Sequence, residues 1–335
     1  MQNHQSSLEA LPEVTRLPAP RSGCIVCGTS FTDSSAQAVE VAAAIAKSTH
    51  EPLVLVHALN EGPQEALPGE LRESLALYAR ARYHDERERV RASGVEMIEG
   101  FSVGAPAAVL LNQAVVHQAR LIVMAASGER PVSRSPRGTV AEQVAEAAGT
   151  PSLTVRKAEP FLRWIKGERR LRILVGADLS APSDTALRWI NEFRSIAPCE
   201  LVVVHLDRNL TAYLGRDLSA ATLMDEFVLG IARKQDSVFR RHVRELLGTS
   251  HVRIRFESGW GHSDAHLIEL AAEERADLIV VGTHSRRGWH RFGHHSVSRG
   301  VLRYAPLSVA CVPEQSSHHF SASSQTPVES STHEY

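Results

Sequence analysis

Two stretches of the 335-residue chain combine small residues, hydroxyls and positive charge in a spacing suited to phosphate. In LIVMAASGERPVSRSPRGTVAEQVAEAAG, two residues separate Ala125 from Gly128, and nine more precede Gly138-Thr139, which open a helical pattern. Small residues let backbone N–H groups approach phosphate oxygens, and a helix N-terminus adds unpaired donors and a favourable dipole. Arg130, Arg134 and Arg137 add charge. The alternative is that Gly128 and Gly138 only turn the chain. The second stretch, ADLIVVGTHSRRGWHRFGHHSVSRGVLRYAPLSVACVP, places Gly282, Ser285, His295 and Ser296 at the same spacing. Its loop and helix carry Arg286, Arg287, Arg291, Arg299 and Arg303, which suit phosphate or a solvated helix face.

Histidines crowd the second copy near the same strand ends. His262 and His266 are four apart and share a helix face, and His284, His290, His294 and His295 follow in the loop and next helix. Zinc needs three or four such ligands in tetrahedral array. No carboxylate stands at an HExxH-like spacing, so solvated or packing histidines are the competing expectation. Neither a G-x-S-x-G nucleophile motif nor a P-loop Gly-Lys-Ser/Thr occurs. Cys24 and Cys27 form a CxxC spacing inside an apolar run that reads as a strand, where residues three apart face opposite ways, roughly 10 Å apart. That is too far for a disulfide, so they are expected as packing residues, as is Cys311.

The elements that must position these groups come in two sets. RSGCIVCGTSFTDSSAQAV matches RILVGADLSAPSDTAL; LVLVHAL, with His57, matches LVVVHLD, with His205; VGAPAAVL matches WGHSDAHL; ARLIVMAASGERP matches ADLIVVGTHSRRG; and GTPSLTVR matches PLSVACVP. The offset is 148 residues at the histidines and 157 from Gly104/Gly261 onward, so the second copy is longer between its second and third strands. A repeat of that length is a duplicated domain. The expected organisation is a loose segment over 1–20, one domain over 22–157, a linker over 158–170 containing Pro160, a second domain over 171–314, and a polar, disordered tail over 315–335.

In each copy, short Val/Ile/Leu runs alternate with helical patterns. CIVCG, LVLVHA, VEMIEG, LIVMAA and SLTVR are the strand candidates of the first, and ILVGA, LVVVHL, VRIRFE, LIVVG and SVACV those of the second. Runs apolar on both faces are buried between helix layers. The helix after Ser180 aligns Ala186, Ile190 and Phe193 on one face, with Pro182 in its first turn. The fold predicted is α/β: two tandem doubly wound, Rossmann-like domains, each with a five-stranded parallel sheet. Ligands in such sheets bind beyond the carboxyl ends of the strands, at the switch point. His57 and His205 fall at strand ends and read as structural.

This doubled pattern resembles a tandem universal stress protein, in the broader adenine nucleotide alpha hydrolase-like class. The resemblance covers both copies. Family members that bind ATP carry Gly, two residues, Gly, nine residues, then Gly-Ser or Gly-Thr after the fourth strand, and an Asp near the adenine after the first. By that resemblance, the nucleotide-contacting positions are Thr29, Ala58, Ala125, Gly128, Gly138 and Thr139 in copy one. In copy two they are Asp178, Leu206, Gly282, Ser285, His295, Ser296 and Ser298. Ala58 and Leu206 match the residue whose backbone faces adenine, and Ser296 and Ser298 the hydroxyls at the phosphate helix. Copy one keeps the fuller phosphate loop, with Thr29 where the Asp is expected. Copy two keeps Asp178, but Ser285 and His295 replace glycines. The resemblance also implies that two such domains pack through their last strands, here SLTVR against SVACVP, with a homodimer as a further possibility.

Three functions compete. The first is a stress protein whose bound ATP or ADP acts as a non-catalytic switch. The second is a nucleotide-free interaction scaffold with degenerate sites. The third is slow ATP hydrolysis, for which only Asp178 offers a carboxylate. A net charge of -1 and a pI near 7.0 give no sign of a nucleic-acid or membrane-surface protein. The first residues show no basic stretch followed by an apolar run, and no window reaches the ~20 apolar residues of a membrane span, so a soluble, cytoplasmic protein is expected.

Overall fold

Strands apolar on both faces demand helices above and below. The computed structural model, which describes residues 23–59, 69–126, 138–207, 221–259, 262–284 and 296–314, supplies them. The first half runs β1 (Ile25–Gly28), α1 (Asp33–Thr49), β2 (Leu53–Leu59), α2 (Gly69–Ala92), β3 (Met97–Val103), α3 (Pro106–Val116), β4 (Leu121–Ala125), α4 (Val140–Ala147) and β5 (Ser152–Val155). A short helix, α5 (Glu159–Ile165), leads to the second half. That half runs β6 (Leu171–Gly176), α6 (Ala181–Phe193), β7 (Cys199–Asp207), α7 (Ala221–Leu247), β8 (Val252–Ser258), α8 (Ser263–Glu273), β9 (Leu278–Thr283), α9 (Val297–Tyr304) and β10 (Ser308–Pro313). β3 begins two residues after the apolar run VEMIEG starts, because its register is set by β2, from Leu53 opposite Met97 to Leu59 opposite Val103.

All ten strands lie in one sheet, in the order β3-β2-β1-β4-β5-β10-β9-β6-β7-β8. Each half contributes five parallel strands, and the halves join where β5 and β10 run antiparallel, Thr154 opposite Val309 and Ser152 opposite Cys311. In each half the chain reverses direction across the sheet between its first and fourth strands, β1/β4 and β6/β9. The loops after those strands are therefore the place for a ligand.

One face of the sheet carries a single apolar core that runs through both halves, from Ile45 and Leu55 to Phe239 and Val243. The other face carries two smaller cores. One lies under α3 and α4, and the other under α8 and α9, where Ala145 of α4 also packs. The segment expected as a linker is part of the shared core. Phe161 and Trp164 of α5 are fully buried, and Trp164 stacks on Phe193 (centroids 5.0 Å apart), which stacks on Trp189 (4.9 Å).

The CxxC pair divides between faces: Cys27 joins the shared core and Cys24 the core under α3. All four cysteines are free and buried. Burial pushes Cys24, Cys199 and Cys311 up to about 12, and Cys27 upward as well, so none is a reactive thiolate near neutrality. Among the described residues, no helix is long and apolar enough to cross a membrane.

Candidate functional site

The carboxyl ends of β1 and β6 are built alike. The Thr29 amide donates to Val56 O at 2.8 Å, and the Ala177 amide to Val204 O at 2.9 Å. The Nδ1–H of His57 donates to the Thr29 carbonyl at 2.9 Å, and that of His205 to the Ala177 carbonyl at 3.1 Å. His57 stacks on Phe31 (4.2 Å) and His205 on Phe256 (4.9 Å). The two histidines thus pin the loop that leaves the first strand of each copy. Burial lowers the pKa of His57, and its bond to Thr29 only partly offsets this. The folded protein therefore binds this proton less readily than the unfolded chain, and stability falls as pH drops through the ordinary histidine value of ~6.5 and below. We expect His57→Gln to flatten that part of the pH dependence of the urea midpoint. An unchanged slope would assign the dependence to other histidines.

These matched bonds fix the register of the repeat and correct one expectation. Thr29 corresponds to Ala177, so Asp178 corresponds to Ser30. Exposure agrees: Thr29 and Ala177 are buried, whereas Ser30 and Asp178 are exposed. Thr29 points inward and donates to Glu86 Oε2 at 2.5 Å, a carboxylate of α2 that is 3% exposed. It is therefore a core residue rather than an adenine contact. Its place beyond the strand is taken by Ser30, whose hydroxyl lies 3.2 Å from that of Thr32.

Asp178 organises the start of α6. Its Oδ1 accepts from the Ser180 amide at 3.0 Å, from the Ser183 hydroxyl at 2.6 Å and from the Ser180 hydroxyl. Burial alone would raise its pKa; the hydroxyls of Ser180 and Ser183 and the Ser180 amide outweigh this and hold the carboxyl below its ordinary value. Asp178 is thus an ionised acceptor at the mouth of the sheet, and among the described residues these donors converge on Oδ1, leaving Oδ2 open.

Gly282 is the penultimate residue of the fourth strand of copy two, where a Cβ would strike the Pro182 carbonyl at the start of α6. The glycine lets α6 sit close. Copy one carries Ala125 there, the last residue of β4. Ala58 and Leu206 lie near the ends of β2 and β7, partly buried against the cores under α3 and α8. Gly128, Ser285 and His295, with the loop arginines and His290 and His294, lie outside the described residues.

The two phosphate-type helices differ sharply in charge. Gly138 has φ +77°, a left-handed conformation suited to glycine, and a Cβ there would collide with the Glu142 carboxylate. Thr139 caps α4: the Glu142 amide donates to Thr139 Oγ1 at 3.2 Å, and the Thr139 amide donates to Glu142 Oε2 at 2.9 Å. This capping box puts a buried carboxylate on the donors a phosphate would need. Copy one's helix start therefore already holds an anion. In α9, Ser296 accepts from the Arg299 amide at 3.4 Å and its hydroxyl lies 2.9 Å from that of Ser298, but the first turn contains no acidic residue. The residue matching Glu142 is Arg299, a cation where the helix dipole favours an anion. Glycine count made copy one the better phosphate loop; at the helix start the charges point to copy two.

Among the described residues, no group of three or more His, Cys, Asp and Glu side chains could hold a metal ion. His266 is buried in α8, and His284 faces Glu314 at 3.7 Å. A groove of about 550 Å³ opens at the amino ends of β6, β7 and β8, away from the switch point. Its charges are paired, Arg172 with Glu200 and Arg253 with Glu274, so it reads as surface relief.

A family model described as the universal stress protein family matches residues 24–156 and again 170–313. The chain belongs to the universal stress protein family. A universal stress protein of Mycobacterium tuberculosis is 24% identical over 272 residues, covering 77% of this chain and 86% of its own length. Among solved structures, a universal stress protein from Archaeoglobus fulgidus superposes with a TM-score of 0.62 at 17% identity, over 88% of this chain and 97% of that one. A functionally unknown protein from Pseudomonas aeruginosa PAO1 gives 0.59 at 14% identity, over 88% and 93%. At these identities the likeness speaks for the fold alone. This universal stress protein is thus a tandem one, and the strand ends of its two copies differ in chemistry.

Proposed function

We propose that this universal stress protein binds ATP or ADP in its second copy and acts through the bound nucleotide as a switch rather than by turnover. The observation that carries this reading is the exchange of Glu142 for Arg299 at matching helix starts. One start is closed by its own buried carboxylate, whereas the other carries hydroxyls and a cation with no acidic residue in its own first turn, the cation's ion-pair partner being Glu146 of copy one. At the opposite side of the mouth, Asp178 Oδ2 is an acceptor suited to an amino group such as that of adenine. A carboxylate held below its ordinary pKa is a poor general base, which favours binding over hydrolysis. Copy one fits the scaffold role, since Thr29 is turned inward and Glu142 fills its helix start.

Calorimetric titration of the full chain with ATP and ADP tests this. One equivalent per chain is expected, with binding weakened by Asp178→Ala and retained in Ser30→Ala. Flat titrations with both nucleotides, together with no nucleotide in mass spectra of gently purified protein, would leave the scaffold reading for both copies. Two equivalents would show that Glu142 does not exclude phosphate.

A further inference from the structure

The seam between the copies is not symmetric. On α4, Glu142 and Glu146 lie four apart; their counterparts on α9, at the offset of 157, are Arg299 and Arg303. The two helices meet across the seam, where Glu142, Glu146, His284, Ser298 and Arg299 line a narrow gap. Glu146 Oε1 pairs with Arg299 Nη2 at 3.1 Å. At the other end of α9, the Leu302 carbonyl would ordinarily accept from residue 306, but Pro306 has no N–H to give. Arg156 of copy one supplies the donor, its guanidinium reaching Leu302 O at 3.3 Å, while its own amide donates to Ser308 Oγ at 3.1 Å. The arrangement has no reciprocal: the residue matching Pro306 is Gly149, which keeps its N–H, and the residue matching Arg156 is Pro313. Arg156 is half-buried, and its Nε is buried without a hydrogen-bond partner among the described residues. So costly a placement needs a return beyond surface solubility.

We propose that copy one is a one-way clamp on the phosphate helix of copy two, with Arg156 and Glu146 as positioning residues for the nucleotide site. Arg156 satisfies the carbonyl end of α9. Glu146 faces the Arg299 guanidinium as its ion-pair partner and so holds that cation at the start of α9. The inference rests on the nucleotide reading of copy two for its functional half, and on the ligand-free fold for its structural half.

Hydrogen exchange of the ligand-free full chain, followed by ATP calorimetry on the same variants, separates the two halves. In Arg156→Ala, amides of Val297–Tyr304 are expected to exchange about tenfold faster, as befits one lost buried hydrogen bond, with Leu278–Thr283 unchanged. Arg156→Lys should restore most of the protection. Glu146→Arg should loosen the same helix, and adding Arg299→Glu should restore its protection by reversing the pair. ATP affinity should fall about tenfold in Arg156→Ala and recover in Arg156→Lys. Unchanged exchange in α9 for both single variants overturns the clamp. A loosened α9 with unaltered ATP affinity overturns its positioning role. A loosened α9 in a chain that never binds ATP sinks the nucleotide reading and the positioning role, and leaves a purely structural clamp. If Arg156→Ala unfolds globally, exchange rises in β9 as well, and the lysine variant and the charge swap then decide.

Discussion

Trp164→Ala is expected to destabilise the whole chain by about 3–5 kcal/mol, the usual cost of deleting a large buried aromatic. Trp164 is fully buried and begins a stack that continues through Phe193 to Trp189. Its helix joins the core shared by both halves, so the loss should lower the urea midpoint of a single cooperative transition rather than free one half. Far-UV circular dichroism during urea unfolding measures it. A loss below about 1 kcal/mol, within the range of surface substitutions, would return residues 158–170 to the status of a passive connector.

Arg299→Glu is expected to have the largest effect on nucleotide binding. Removing one charge-assisted contact costs about 1.5–3 kcal/mol, or roughly 10- to 150-fold in affinity, and the reversed charge adds repulsion toward phosphate. The substitution also recreates at α9 the first-turn carboxylate that α4 already carries as Glu142. If that residue is what distinguishes the two copies, the variant should lose ATP and ADP while keeping its fold. Calorimetry and a thermal melt on the same sample settle the matter; retained micromolar binding would place the phosphate elsewhere.

The doubled α/β fold was legible because its strands are apolar on both faces and its repeat preserves whole segments, from the strand-end histidines to the last strands. The short helix α5 was less so. Its apolar residues Phe161 and Trp164 stand three apart, a helical spacing, but Pro160 and the brevity of the segment suggest a connector. Only the stack on Phe193 gives the segment its weight. The match of Thr29 to Asp178 failed by one residue. It was anchored on the expected acid, whereas the backbone is anchored by histidine bonds to Thr29 and Ala177. The contrast between Glu142 and Arg299 was visible in the letters but without meaning there. Glycine spacing describes the loop, while the third residue of the helix decides which charge its amides already hold. The partners of Arg156 could not be read at all, because they depend on which helix end the antiparallel seam brings opposite it.

The join between β5 and β10 has a consequence of quantity rather than shape. Because both strands belong to one chain, their pairing is a unimolecular event, governed by tethering and not by abundance. Separate domains meeting through the same edges would part on dilution, and their folded fraction would follow their concentration. Here the ten-stranded sheet persists at a few molecules per cell as at thousands. Whatever copy one does for copy two is then done at every expression level, including the lowest.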